Sequence, residues 1–312
     1  MKQNSYSLRN EKTRNLINNA VSFYGKDNIE IEKFKGHLFL AFCLIAAFVG
    51  IVALTSLMIY VFVDSLGWVD WQFVTSAPSR FAEKAGIFPM LMGSIWVISL
   101  VAVFSLPLGI GAAIYLEEYA KDNWLKRLIE TNIANLAGVP SIVYGLLGLG
   151  FFVSTLHLRH GTVLIGAFTL TLRVLPIVIV SSQEAIRAVP DSHRFASFGL
   201  GTSRWQMIRS VVLPEAMPGI MTGTIIALAN AMGETAPLIM IGAATSIFTA
   251  PKGILSPFSA MPLQIYAWSD FPGEDFQHGV TPAAIIVLLI LLLTMNGIAI
   301  FIRQKFQNKK KR

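Results

Sequence analysis

The chain has 312 residues, of which 54% are hydrophobic and 14% are charged, and its formal net charge is +7. Soluble domains carry about 25% charged residues, so this composition excludes an ordinary water-soluble globular protein. The apolar residues are concentrated in blocks of about 20 or more, the length that an α-helix needs to cross a bilayer.

These blocks predict an all-α, polytopic membrane bundle with six transmembrane helices. The predicted spans are Leu38–Val63, Phe88–Leu116, Ile133–Leu156, Gly161–Ser182, Ala216–Ala243 and Pro282–Ile302. An even number of spans places both termini on the same side of the membrane. We therefore divide the chain into an N-terminal segment (1–37), a first transmembrane helix (38–63), a core (88–302) that includes a loop at 183–215, and a basic tail (303–312).

The distribution of Lys and Arg predicts the orientation. Residues 1–37 carry seven, 117–132 three, 183–215 four and the tail six, whereas the segments on the opposite side carry four in all. Positive charge favours the cytoplasmic side, so we expect both termini in the cytoplasm of a multi-pass protein of the cytoplasmic membrane. We interpret the net positive charge as a face close to anionic membrane lipid rather than as a nucleic-acid-binding surface.

Arg173 lies inside a predicted span. A full charge at the bilayer centre costs about 2.5–3.5 kcal/mol on insertion scales, so this side chain needs a partner, a cavity or an anion. Glu234 is the only carboxylate within a predicted span, and both residues fall near the middle of their helices. Two interpretations remain open: a pair that opens when an anion binds the arginine, or a permanent structural ion pair.

The third, fourth and fifth predicted spans contain neutral hydrogen-bond donors. An arginine offers a planar fork that suits the oxygens of an oxyanion, and hydroxyl or amide groups could replace further water around it. The candidates for this role in a substrate pathway are Ser141, Tyr144, Asn230 and Thr235, and Thr169 and Thr171 could add further donors.

The loop at 183–215 predicts two short capped helices. Asp191 follows a proline, Ser192 is the expected N-cap of the first helix, and Gly201 is expected to end it. Ser203 and Gln206 have the spacing of a capping box that opens a second helix, and Pro214 is expected to mark the entry to the fifth span. Two such helices at nearly right angles would form a rigid knob below the membrane.

This loop resembles the EAA signature of ABC-importer permeases. The resemblance rests on Phe195-Ala196-Ser197, Gly201 and Leu213-Pro214, with the spacing of that signature. It implies that the helix containing Asp191 and Ser192 docks on an ATPase subunit. One position departs from the signature, because Phe195 stands where the family has glutamate.

Three further stretches resemble the PstA-type permease subunits of phosphate ABC importers. They are Ala137–Gly150, Gly233–Pro237 and Met261–Trp268. The resemblance implies a type I ABC importer permease fold and a transport subunit that is not itself an enzyme and holds no cofactor or metal. It also implies a heterodimer with a PstC-type permease, a PstB-type ATPase dimer and a PstS-type phosphate-binding protein, either periplasmic or a lipoprotein.

The sequence contains no G-x-x-x-x-G-K-[ST] stretch, so we expect a separate subunit to hydrolyse ATP.

Three alternatives to a phosphate permease remain: an ABC permease for molybdate, tungstate, sulfate or phosphonate; an intramembrane phosphotransferase; and a signalling or scaffold subunit. A phosphotransferase would need clustered acidic residues for a metal. Glu117-Glu118 is an adjacent acidic pair directly after a predicted span, with no further metal ligands beside it in the sequence.

Overall fold

The computed structural model describes residues 26–244 and 246–309. Residues 1–25 of the predicted N-terminal segment, residues 310–312 of the basic tail and Thr245 therefore lie outside the described residues. The described chain is helical, and its only β-type pairing is an isolated antiparallel bridge between Thr162 and Pro257.

The chain divides into two units after Tyr60, and the described part of the first unit begins at Lys26. This part belongs to helix α1, which spans Lys26–Asp64. Every residue from Glu32 to Tyr60 is exposed, including a continuous series of large apolar side chains. Such a helix matches the first predicted transmembrane segment in composition and begins before it.

The second unit starts at Val61 and contains the remaining helices. They are α2 (Trp71–Thr75), α3 (Phe88–Ile114), α4 (Trp124–Ala137), α5 (Ser141–Gly148), α6 (Val163–Arg187), α7 (Asp191–Gly199), α8 (Arg204–Met207), α9 (Leu213–Met232), α10 (Ala236–Met240), α11 (Met261–Ser269) and α12 (Thr281–Lys309). Wider π-helical turns at 115–119, 149–155, 208–212 and 276–280 extend or join several of them.

Five helical segments in the described chain are long and apolar enough to cross a membrane. They are Glu32–Asp64, Phe88–Tyr119, Val163–Arg187, Arg204–Met232 and Phe276–Lys305. The predicted third span, Ile133–Leu156, is not one helix. Trp124–Ala137 and Ser141–Thr155 meet at 105°, so a sixth crossing exists only if this bent pair is counted as one span.

The bend has a local cause. Gly138 ends α4, and Pro140 immediately precedes α5. Proline has no backbone N–H to donate and disfavours helical geometry in the residue before it, so a single helix cannot continue through this point without losing hydrogen bonds. Hydropathy alone could not distinguish a bent pair from a continuous span, because both residues lie among apolar neighbours.

The helix that contains most of the predicted fifth span, Ala216–Ala243, has different bounds from that span. The helical segment starts at Arg204 and continues through a π-helical turn into α9, so Pro214 lies inside it and does not mark its entry. It ends at Met232, where Gly233 is the C-cap. Residues 188–203 separate it from α6, so the second helix expected in the 183–215 loop is continuous with the helix of the fifth span.

Glycines bring the three central helices α3, α6 and α9 into close contact. A Cβ atom on Gly109 of α3 would lie 2.6 Å from Val178 Cγ1 of α6, and one on Gly223 of α9 would lie 2.1 Å from Ser181 Oγ. Gly166 of α6 also leaves room for a close neighbour, the buried ring of Phe258, which lies outside these three helices. In lipid, helix association depends on such close packing, because the hydrophobic effect does not favour contact between helices there.

Candidate functional site

Arg173 and Glu234 are in direct contact. Arg173 Nη2 lies 2.6 Å from Glu234 Oε1, and the two side chains are 22% and 15% exposed. Arg173 Nε is buried and has no hydrogen-bond partner among the described residues. The arginine therefore has one nitrogen engaged by the carboxylate and one donor that is not used within the described chain.

The two residues occupy different kinds of backbone. Arg173 lies in the middle of α6, whereas Glu234 lies in the break between α9 and α10 rather than in the middle of a span as we predicted. Gly233 caps α9, and Pro237 stands in the first turn of α10. A break of this kind at membrane depth is tolerated where the backbone is covered by protein or faces a cavity, and such breaks are common at transporter binding sites.

Helix α5 closes around the same region. A Cβ on Gly145 would lie 2.7 Å from Met240 Cβ and 2.9 Å from Pro237 Cα, so α5 packs directly on α10. Likewise, a Cβ on Gly148 would lie 2.3 Å from Thr169 Oγ1, one turn before Arg173 on α6. The ion pair thus lies where α5, α6 and α10 converge.

The predicted neutral donors have different surroundings. The Tyr144 hydroxyl is buried and donates to Leu136 O at 2.7 Å, which joins the two halves of the bent pair. To bind an anion it would have to give up this bond. Ser141 is the first residue of α5, Thr235 directly precedes α10, and both are half-buried; Asn230 is exposed on the last turn of α9.

Helix α7 begins two residues earlier than predicted. Its N-cap is Pro190, which makes no side-chain capping bond, and Asp191 is the first helical residue. The prediction that Ser192 caps this helix is therefore wrong. Proline favours the extended conformation that an N-cap position requires, so the chain enters the helix directly after it. Asp191 instead accepts a hydrogen bond from Arg194 Nη1 at 3.1 Å.

Gly201 ends α7 in the way that its sequence position predicts. Its φ is +78°, its N–H donates to Phe198 O at 2.9 Å, and the Thr202 N–H reaches Ser197 O at 3.4 Å. This is the Schellman arrangement, in which the C′ residue has left-handed backbone geometry. Glycine adopts that geometry without the steric cost that a side chain brings. Ser203 then forms the predicted capping box, giving and receiving bonds with Gln206 at 2.8 and 3.3 Å.

The turn between these helices presents apolar side chains to solvent. Phe195 is 72% exposed and Leu200 85%, with Phe198 and Trp205 also exposed. Ala196 is exposed, Ser197 is buried, Leu213 is half-buried and Pro214 is exposed. On the inner side, an apolar cluster holds the segment together; it comprises Ala113, Ile186, Val189, Met207, Ile208, Val212, Ala216 and Ile220.

Sequence reasoning missed the residues that attach this segment to the rest of the bundle. Glu117 accepts bonds from Gln183 Nε2 at 3.1 Å and from Arg187 Nη2 at 2.6 Å, and Gln183 also reaches Glu130 at 3.3 Å. Glu118 binds Arg194. The available signal was an acidic pair at the end of one span opposite a loop rich in arginine, but it did not specify which charges meet.

Comparison with known proteins identifies relatives over most of the chain. Residues 105–310 match the family model of the binding-protein-dependent transport system inner membrane component. The probable ABC transporter permease protein YqgI of Bacillus subtilis (strain 168) is 34% identical over 229 residues, covering 72% of this chain and 76% of the relative. The phosphate transport system permease protein PstA 1 of Mycobacterium tuberculosis (strain CDC 1551 / Oshkosh) is 34% identical over 238 residues, covering 76% of each.

Solved structures share the fold. A bacterial ABC transporter involved in the import of the acidic polysaccharide alginate has a chain with TM-score 0.61 at 14% identity, covering 89% of this chain and 99% of that one. The MetNI methionine ABC transporter has one with TM-score 0.54 at 18% identity, covering 71% and 94%. The predicted type I ABC importer permease fold is therefore confirmed.

Proposed function

This chain belongs to the family of binding-protein-dependent transport system inner membrane components, and we propose that it is the permease subunit of an ATP-driven importer that carries inorganic phosphate across the cytoplasmic membrane. The observation that carries the substrate is the similarity to proteins named as phosphate transport system permease PstA, at 28–34% identity over most of the chain. The same similarity favours phosphate over molybdate, tungstate, sulfate or phosphonate.

We propose that the working unit is an assembly. This chain would pair with a PstC-type permease, stand above a PstB-type ATPase dimer and receive phosphate from a PstS-type binding protein on the outer side. Phe195, Phe198 and Leu200 expose apolar side chains close together on the turn at α7. Contiguous exposed patches of large apolar residues often mark interfaces, which supports the proposal that a protein partner binds here. The excess of Lys and Arg beside this turn supports a cytoplasmic position for it.

Phosphate would use the contact between Arg173 and Glu234. With Glu234 bound to Nη2 and Nε unpaired, an oxyanion that displaces the carboxylate would gain the planar fork of the guanidinium. Since Nε is buried, this exchange requires the side chain to move. The glutamate would return when phosphate leaves, which keeps the arginine paired and the ion only transiently bound. Ser141, Thr235 and Asn230 would supply neutral donors nearby.

The proposal is tested by ATP-dependent uptake of labelled phosphate into liposomes. The preparation holds this chain with the permease, ATPase and loaded binding protein that co-purify with it. We expect uptake that unlabelled phosphate competes and that sulfate and molybdate do not. Arg173→Gln and Arg173→Lys should each reduce uptake at least tenfold, because lysine lacks the planar fork.

Arg127→Gln is the matched control, since its side chain is 73% exposed in a surface pair with Asp122. It should transport normally. No ATP-dependent phosphate uptake by the unmodified complex would reject the substrate assignment, and normal uptake by both Arg173 variants would reject the pathway role.

A further inference from the structure

Glu118 is the meeting point of two arginines from the cytoplasmic segment. Its side chain is only 7% exposed, and its carboxylate accepts from Arg194 Nε at 3.1 Å and Nη2 at 3.0 Å. Its backbone carbonyl accepts from Arg204 Nη1 at 3.0 Å, and the Arg204 guanidinium lies 5.7 Å from the ring centre of Tyr119. Both α7 and α8 are therefore bonded to Glu118, and α8 also contacts Tyr119.

Arg194 spans three elements with one side chain. Besides Glu118, it donates to Ile186 O at 2.9 Å and to Val189 O, the carbonyls at the end of α6 and just beyond it, and to Asp191 within its own helix. All three of its guanidinium nitrogens are engaged, and the side chain is 15% exposed. A planar fork held by several acceptors is well suited to keep a fixed distance between the groups it joins.

The larger packing contacts of α7 are with elements that lead toward α9. Helix α7 packs chiefly against α8 and the π-helical turn that follows it, which lead into α9. The direct polar contact between α7 and the turn after α3 is made by the side chains of Arg194 and Glu118, beside the apolar cluster that joins Ala113 of α3 to Ile208 and Val212. The receiving end is the π-helical turn at 115–119, and such turns are found frequently at functional positions in helices.

We propose that Glu118 and Arg194 form a strut that passes the movement of α7 to the cytoplasmic end of α3. Among the described helices, α3 and α6 make the most extensive contact, and α6 carries Arg173. A shift of α7 is thereby delivered to the helix pair that borders the candidate anion site. Both residues are positioning residues for coupling. The inference rests on the proposed function for its driving force, the ATPase partner.

The first test measures how many phosphate ions enter per ATP hydrolysed, in liposomes holding the full complex. Glu118→Gln and Arg194→Gln should each lower this ratio at least fivefold while the ATPase still co-purifies. The double variant should be no worse than either single one, because both changes remove the same interaction. Asp122→Asn and Arg127→Gln, an exposed ion pair, serve as matched controls and should leave the ratio unchanged.

The second test does not depend on the substrate. Hydrogen exchange of the backbone amides is compared with and without ATP in the purified unmodified complex and in its Arg194→Gln variant. In the unmodified complex, ATP should change exchange in both 191–199 and 115–119. In the variant the change should persist in 191–199 and disappear from 115–119.

The two hypotheses fail in distinguishable ways. The strut is rejected if the variants import as many phosphate ions per ATP as the unmodified complex once assembly is corrected for, or if the losses of the two single variants add in the double variant. It is also rejected if ATP never changes exchange in 115–119. If the unmodified complex imports no phosphate but shows the expected exchange pattern, the proposed function fails and the strut stands.

Discussion

Replacing Glu234 with glutamine removes the charge that holds Arg173 and keeps nearly the same side-chain shape. The two groups form an ion pair with 2.6 Å between Arg173 Nη2 and Glu234 Oε1 and are mostly buried, so solvent screens their attraction only in part. We take its strength as that of a hydrogen bond to a charged group, which contributes about 1.5–3 kcal/mol. At 1.4 kcal/mol for each factor of ten, a phosphate ion that no longer competes with Glu234 should bind about 10- to 150-fold more tightly.

The assay follows both binding and turnover. Complexes carrying Glu234→Gln should retain more labelled phosphate after rapid filtration, and their steady-state uptake should fall because release becomes slow. Glu234→Asp keeps the charge and is the matched control, which should stay closer to the unmodified protein. Arg173→Gln should retain no phosphate, and the double variant should behave like Arg173→Gln, because the arginine is the group that binds the ion.

A permanent structural pair makes different predictions. Removing one partner of a buried pair then destabilises the protein by about 3–5 kcal/mol, and the loss appears in the yield of folded complex rather than in phosphate retention. Glu234→Gln complexes that fold normally and show unchanged retention and uptake would refute the competition between phosphate and carboxylate.

Three further changes test separate parts of the structure. Gly201 has φ +78°, and a Cβ at this position would have no neighbour within 4 Å. Gly201→Val should therefore lower phosphate import per ATP through backbone strain alone, whereas Gly201→Asn should be nearly normal. Equal import per ATP in the two variants would contradict this. Phe195→Ala should weaken retention of the ATPase about tenfold or more, because burial of a phenylalanine contributes about 1.5–3 kcal/mol. The loss should be the same in low and high salt. A loss of retention that depends strongly on salt would oppose an apolar contact. Gly145→Val should separate α5 from α10 and reduce uptake, while Gly150→Val, with nothing within 4 Å, should not; normal uptake in both would show that this packing is dispensable.

The sequence alone was sufficient for features that depend on transfer to lipid or on neighbouring residues. Span length and hydropathy predicted the membrane helices, because each apolar residue contributes to transfer independently of the fold. The capping box at Ser203 and the glycine end of α7 involve residues within five positions of each other, so their chemistry can be recognised locally. The choice of Arg173 and Glu234 followed from the cost of charge in hydrocarbon.

Tertiary structure decided where the backbone breaks and which charges meet. Hydropathy sums over residues and does not register whether the helix continues, so the bend after Gly138 and the break at Gly233 were missed, although both displace predicted site residues. Glu118 and Arg194 are 76 positions apart, and several arginines in the loop were equally plausible partners. Only the packing of α3 against α6 brings this one within reach, because a contact between distant residues depends on the arrangement of every helix between them.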